Sequence, residues 1–384
     1  MAVLRALAVQ GGSAASLLLP ALRRVLDGAD SAVVPVPERD SPVLRALRVG
    51  ESIDDDVALV VTTSGTTGSP KGAMLTAAAL TASAVATHDR LGGPGSWLLA
   101  LPPHHIAGLQ VLVRSVVAGS TPVELDVSGG FDVTELPSAV ARLGPGRRYA
   151  SLVSAQLAKA LDDSAAAAAL AELDAVLIGG GPAPRPVLRA AASAGIAVVR
   201  TYGMSETAGG CVYDGVPLAG VRLRVLPDAR IAIGGVTLAK GYRNPVDPDP
   251  FADPGWFHTD DVGDLDDSGV LTVAGRADDA ISTGGLTVLP QLVETALCSH
   301  PAVRECAVFG LADDRLGQRV VAAVVVAAGH LPPTLDAMRA HAARTLDITA
   351  APRELHCVTE LPLRGIGKVD RSALQRRFTA SAES

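Results

Sequence analysis

The chain has 384 residues, more than a single domain usually holds, so two or three folding units are expected. A net charge of -7 argues against a nucleic-acid surface, and a hydrophobic fraction of 48% supplies packed cores rather than disorder. The four cysteines, Cys211, Cys298, Cys306 and Cys357, form no C-x-x-C pair, which disfavours a zinc site or a disulfide framework and fits a reducing cytoplasm.

Near the start, Gln10, Gly11 and Gly12 interrupt an apolar run, so a helix over 16–26 is expected rather than a signal peptide. A loop marked by Pro35, Pro37 and Pro42 follows. From residue 57 short β-branched runs alternate with helical spacing. Strands are expected over 57–62, 97–101, 175–178, 198–201 and 230–233, and helices over 76–88, 108–117, 154–161 and 186–194. That alternation predicts an α/β layer with a largely parallel sheet. The alanine run 165–169 reads as an exposed helix tail, and the Asp- and Gly-dense stretch 255–269 as exposed turns. Beyond residue 275 a small α+β unit is expected. Strand 270–273 leads into it, and loop 282–286, helix 290–299, strands 306–311 and 319–328 and helix 334–344 make it up. The apolar run 320–328 is far shorter than the roughly 20 residues a bilayer span needs, so it reads as a buried strand.

The segment TTSGTTGSPKG at 62–72 follows the first of these strands and precedes a helix. Its hydroxyls, its glycines and Lys71 suit a loop whose backbone N–H groups turn inward around phosphate oxygens. It is not the G-x-x-x-x-G-K-[ST] loop, because Pro70 replaces the second glycine and Gly72 the hydroxyl. In YGMSET at 202–207, Tyr202 offers a flat face, Ser205 a hydroxyl and Glu206 a hard oxygen ligand suited to Mg²⁺. GGGPAP at 179–184 follows a strand at the carboxyl edge, where α/β sheets bind ligands. Asp260 and Asp261 are carboxylates able to accept the two hydroxyl hydrogens of a ribose. Lys368, between Gly367 and Val369, stands on a loop free enough to carry an ammonium into a cleft.

Together with WFHTDDVG at 256–263, GRADD at 275–279 and GIGKVDR at 365–371, these segments resemble, in order, the motifs of the adenylate-forming superfamily of acyl-CoA synthetases, luciferases and peptide-synthetase adenylation domains. The resemblance implies a large N-terminal α/β domain over 1–277 and a small, mobile C-terminal α+β domain over 278–384, with Asp278 as the hinge. It implies an acid–thiol ligase that uses ATP, Mg²⁺ and coenzyme A and passes through an acyl-AMP. ATP or AMP would meet Thr62, Ser64, Gly65, Thr66, Thr67, Gly68 and Lys71 in the phosphate loop. Gly180, Gly181 and Pro182 would line the adenine, beside Tyr202, Gly203, Met204 and Ser205. Asp261 and Arg276 would reach the ribose or phosphate, and Glu206 would hold the metal. Lys368 would stabilise the transition state of carboxylate attack on the α-phosphate. LPPHHIAGL at 101–109 places His105 at the wall between acyl pocket and CoA tunnel, and Gly284 and Gly285 would line that tunnel.

Three stretches, 105–119, 151–161 and 177–184, resemble the subgroup that acts on o-succinylbenzoate in menaquinone synthesis. The acyl group would then meet His105, Arg114, Ser151, Gly180, Gly203 and Ser205. That substrate has a second carboxylate to hold, for which Arg114 and Arg222 are the candidate cations. The alternatives are an aryl or short-chain acyl-CoA ligase of other substrate, or a degenerate nucleotide-binding protein. The expected partners are small molecules, with no nucleic acid, no membrane, and a homodimer left open.

Overall fold

The computed structural model describes residues 2–9, 14–37, 41–63, 70–364 and 368–380. Its centre is a seven-stranded sheet in the order Val216–Pro217, Gly209–Tyr213, Val198–Met204, Ala175–Gly179, Arg148–Val153, Ser96–Leu99 and Val123–Glu124. The last five of these run parallel, as the alternating pattern predicts, and the first two return antiparallel. Helices Ala77–Arg90 and Ile106–Val117 cover one face, where Trp97, Leu99, Tyr149 and Leu177 are buried. Helices Ser154–Leu161 and Ser164–Ala171 cover the other, over Leu98, Ala150, Leu152 and Val176. Neighbouring strand residues therefore point to opposite cores, which is why these strands read as continuous apolar runs.

A second, four-stranded sheet is built from Arg5–Ala8, Val33–Val36, Val57–Thr63 and Lys71–Thr76. It corrects two expectations. Pro35 lies inside a buried strand, not a loop; this strand meets the next one at Val33 with Leu59, so the missing N–H of Pro35 is not needed there. The phosphate-loop segment does not run straight into a helix either. It joins two antiparallel strands, and the helix Ala77–Arg90 begins only after the second, capped by the Thr76 hydroxyl accepting from the Ala79 N–H at 3.0 Å.

A third sheet, Val221–Val225, Arg230–Gly235, Trp256–Leu265 and Leu271–Arg276, is an antiparallel meander. The stretch expected as exposed turns is thus mostly a ten-residue strand. Phe257, Thr259, Asp261 and Gly263 face inward in strict alternation, a period of two that the Asp and Gly composition masks. The alanine run is likewise not a tail: Asp163 caps a separate helix, Ser164–Ala171, that buries Ala166, Ala169 and Leu170.

From Ile281 onward a five-stranded sheet carries helices Pro290–Leu297, Leu335–Ala342 and Arg371–Ala380. Its first two strands, Ile281–Thr283 and Leu286–Val288, form a hairpin where a loop is expected. Gly284 at φ 58° and Gly285 at φ 82° supply the left-handed pair that a tight two-residue turn requires. Among the described residues, the apolar clusters of this small unit begin at Ile281, and those of the preceding large unit end at Leu271.

Candidate active site

The three sheets of the large unit meet at one cleft. The central sheet delivers Tyr202 to Glu206 at the end of the strand Val198–Met204, the mixed sheet delivers Thr62 and Lys71, and the meander delivers Asp261 and Arg276. Gly203 is required where two backbones cross: a Cβ there would lie 2.1 Å from the Gly209 carbonyl oxygen. Met204 N–H donates to the Thr207 hydroxyl at 3.0 Å, and the Ser205 hydroxyl donates to the Thr62 carbonyl at 3.4 Å, tying the YGMSET turn to the mixed sheet.

Glu206 is buried, and that burial raises its carboxyl pKa; the Tyr242 hydroxyl, Lys71 and Lys368 pull it back. Tyr242 donates to Glu206 Oε1 at 2.6 Å, and the Lys71 ammonium stands 5.4 Å from the centre of the same ring. Tyr242 carries no motif signal, yet it belongs to a short segment that joins the two walls. Ala239 N–H donates to the Glu206 carbonyl at 2.8 Å, Lys240 N–H to the Met74 carbonyl at 2.9 Å and Arg243 N–H to the Gly72 carbonyl at 2.7 Å. Asn244 completes the tie, accepting from Gly72 N–H at 3.2 Å and donating to the Pro70 carbonyl at 2.7 Å. Tyr242 and Asn244 are the site-building residues that motif reading misses. The alternation of this segment with the strand Lys71–Thr76 shows only once residues some 170 positions apart are paired.

On the opposite side Asp261 is buried and its pKa is raised by that burial, then lowered by Tyr202 and Arg276. The Tyr202 hydroxyl donates to Asp261 Oδ2 at 2.7 Å, and Arg276 Nη1 reaches Oδ1 at 3.4 Å. Arg276 also grips Asp278 through two bonds of 2.8 and 2.7 Å, while Asp260 lies farther away, 3.6 Å from the same guanidinium. Of the two neighbouring carboxylates, Asp261 is therefore the one that faces the tyrosine.

His105 precedes the helix Ile106–Val117 at its N-cap position without a side-chain capping bond, 4.4 Å from His104 between ring centres. Burial, then His104 and Lys368, bring its pKa down to about 4, so the ring is neutral at physiological pH. Lys368 thus acts electrostatically on His105, Glu206 and Asp261, which places its ammonium toward the cleft. Gly180, Gly181 and Pro182 lie exposed beyond the strand Ala175–Gly179, and Ser151 is half-buried in the adjacent strand. Gly284 and Gly285 are exposed at their hairpin turn. Ser64, Gly65, Thr66, Thr67 and Gly68 lie outside the described residues.

The two candidate cations for a second carboxylate stand in different surroundings, one buried and one exposed. Arg114 sits nine residues along the helix from His105, about 13 Å by helix rise. It is 3% exposed, bonded to the Tyr213 hydroxyl at 3.2 Å and packed 4.9 Å from the Trp97 ring centre, so it is part of the core. Arg222 is exposed on the meander and stacks on Trp256 at 4.9 Å.

Among the described residues no cluster of three or more His, Cys, Asp or Glu side chains could cage a metal by itself. The donor set still fits Mg²⁺, which usually takes one or two protein carboxylates and completes its octahedron with phosphate oxygens and water. Glu206 is the buried carboxylate beside Lys71 that could supply such a ligand.

A family model described as AMP-binding enzyme matches residues 18–242, and its C-terminal domain matches 292–368. The chain belongs to this AMP-binding enzyme family. It is 78% identical over 382 residues to a probable 2-succinylbenzoate–CoA ligase of Mycobacterium tuberculosis, spanning 99% of this chain and 100% of that one. The o-succinylbenzoate CoA synthetase of Bacillus subtilis, solved with an acyl-adenylate intermediate, superposes with a TM-score of 0.76 at 26% identity over 97% of this chain and 88% of that one. The same synthetase with ATP and magnesium gives a TM-score of 0.78 at 26% identity, covering 97% and 89%. The family match agrees with the resemblance carried by the sequence motifs. No helix among the described residues is long and apolar enough to cross a membrane.

Proposed function

We propose that this protein is an ATP-dependent, AMP-forming acid–thiol ligase that converts 2-succinylbenzoate to its CoA thioester in the cytoplasm. The observation that carries this reading is the convergence of Lys71, Glu206, Asp261 and Lys368 on one cleft, in a chain 78% identical to a probable ligase of that name. In the first half-reaction a carboxylate oxygen bonds to the α-phosphorus and the bond to pyrophosphate breaks. In the second, the CoA sulfur bonds to the acyl carbon, AMP leaves, and the thiol proton passes to solvent.

Each residue has a physical task in this scheme. Tyr202 presents its ring to the adenine while its hydroxyl fixes Asp261, whose remaining lone pairs receive the ribose hydroxyls. Lys71 meets the phosphates, and Glu206 holds Mg²⁺, which neutralises phosphate charge when bound. Lys368 supplies the cation where negative charge gathers between the carboxylate and the phosphate. Neutral His105 forms the wall between acyl group and thiol path, and the Gly284–Gly285 turn borders that path. We place the pivot at Asp278, with a large domain spanning 1–277 and a small domain spanning 278–384. The separation of apolar clusters between Leu271 and Ile281 supports this division.

Pyrophosphate exchange into ATP, followed by thioester formation on adding CoA, tests the reading. It should depend on 2-succinylbenzoate and fall away with benzoate or short-chain acids. Exchange driven equally well by benzoate would leave a ligase of broader substrate, and no exchange with any carboxylate would leave a nucleotide-binding protein.

A further inference from the structure

Three residues beyond Lys368, at the start of the helix Arg371–Ala380, one guanidinium gathers three separate elements of the small unit. Arg371 Nη2 meets Glu294 Oε1 of the helix Pro290–Leu297 at 2.6 Å, and its Nε donates to the Val308 carbonyl of the strand Val303–Asp313 at 3.0 Å. Its Nη1 reaches Asp279 Oδ2, one residue past the proposed pivot, at 3.4 Å. The acceptors are themselves held. Glu294 Oε1 also accepts from Val308 N–H at 2.8 Å, and Asp279 Oδ2 from Gln291 Nε2 at 3.1 Å. The Glu294 side chain is 12% exposed, so its charge depends on this partner.

Lys368 itself stands on a hairpin in which Lys368–Val369 pairs with Leu363–Arg364. A lone hairpin of this size has little stability of its own and must borrow its orientation. The Asp370 N–H donates to the Pro362 carbonyl at 2.8 Å and the Asp370 carboxylate accepts from Ala373 N–H at 2.9 Å, so the hairpin base continues directly into the arginine.

We propose that Arg371 is a positioning residue for Lys368: by locking the base of the lysine hairpin to Asp279 and Glu294, it makes the ammonium turn rigidly with the pivot and arrive in register at the α-phosphate. This rests on the reading of Lys368 as the cation of the first half-reaction. A lysine at 371 keeps the charge but cannot make a planar, three-way fork. Arg371 also lines a cavity of about 260 Å³ with Asp278, Asp279, Phe309 and Gln375, so the shorter side chain meets no steric obstacle.

The test is a double-mutant cycle on the full-length enzyme, with each half-reaction assayed alone. Arg371→Lys should lower kcat for acyl-AMP formation about tenfold or more, leave the KM for ATP within about twofold, and spare thioester formation from synthetic acyl-AMP and CoA. In a Lys368→Ala background the same change should have no further effect on adenylation. Additive losses in that background, or equal losses in both half-reactions, would overturn the proposal. If Arg371→Lys fails to fold, Asp279→Asn in the same cycle carries the same expectation at smaller size. Should Lys368→Ala leave adenylation intact, the reading of the lysine is what fails.

Discussion

Glu206 is held at both ends, its carbonyl by Ala239 and its carboxylate by Tyr242, whereas Lys368 stands on paired strands of two residues each. The first is preorganised by three sheets that meet around it, and the second is anchored at its base and projects into the cleft. The two sides solve different problems. A wall that binds nucleotide in both half-reactions must not move, because misplaced dipoles lose most of their effect on a transition state. A cation needed only while charge builds between carboxylate and phosphate can be brought in and withdrawn.

The sharpest way to break this contrast is to separate the half-reactions. Lys368→Ala should cut acyl-AMP formation by about a thousandfold, the scale of losing a preorganised charge, while synthetic acyl-AMP and CoA still give thioester at near the parent rate. Asp278→Pro should show the opposite pattern, slowing thioester formation about a hundredfold on the scale of the ~3 kcal/mol of a misplaced proline, with Asp278→Ala as the control for the lost ion pair. Parallel losses in both assays would mean that the lysine side is as static as the glutamate side.

A smaller effect probes the static wall. Tyr242→Phe removes a hydrogen bond to a buried carboxylate, a contribution of about 1.5–3 kcal/mol. The Mg²⁺ concentration that half-saturates pyrophosphate exchange should rise about tenfold, with the melting temperature lowered by only about 5 °C, so that the protein stays folded in the assay. An unaltered Mg²⁺ requirement would detach Tyr242 from the metal site.

The effect that should vanish at neutral pH, and so touch activity least, concerns the buried core of the central sheet. His88 is 4% exposed, accepts from Trp97 Nε1 at 3.4 Å, and is brought down to about 4, by burial first and then by Arg114. A folded ring that refuses its proton while the unfolded chain accepts it near 6.5 stabilises the fold fully above that pH. This contribution is lost progressively as the pH falls from 6.5 toward 4, up to about 3 kcal/mol. His88→Gln should flatten that part of a urea-denaturation series; an unchanged slope would assign the acid sensitivity to other groups, neutral His105 first.

Much of the site is legible as motifs, because tight turns and charged groups impose residue types that survive reading one segment at a time. Tyr202 and Asp261, each singled out in its own motif, are 59 positions apart and meet at 2.7 Å, a pairing that neither motif shows by itself. What is not legible follows from the same logic. The segment from Ala239 to Arg243 is held in place by backbone bonds to Glu206, Met74 and Gly72, and backbone bonds leave no residue signature that would flag Tyr242 within it. The strand Trp256–Leu265 hides because its inward positions include Asp261 and Gly263, chosen for ligand and close packing rather than for apolar character. Arg114 is named in the sequence as a candidate for a second carboxylate, but that it is buried against Trp97 and bonded to Tyr213 shows only in three dimensions, because those partners are 17 and 99 positions away.

The Tyr202–Asp261 bond has a consequence for which nucleotides the cell can offer. Two of the carboxylate's roughly four acceptor positions are already taken, one by the tyrosine hydroxyl and one by Arg276. The remainder match a sugar with two adjacent hydroxyls. With Asp261 receiving the ribose as proposed, a 2′-deoxynucleotide would leave one acceptor unanswered, so dATP should support pyrophosphate exchange less well than ATP, and equal use of the two would take the ribose away from Asp261.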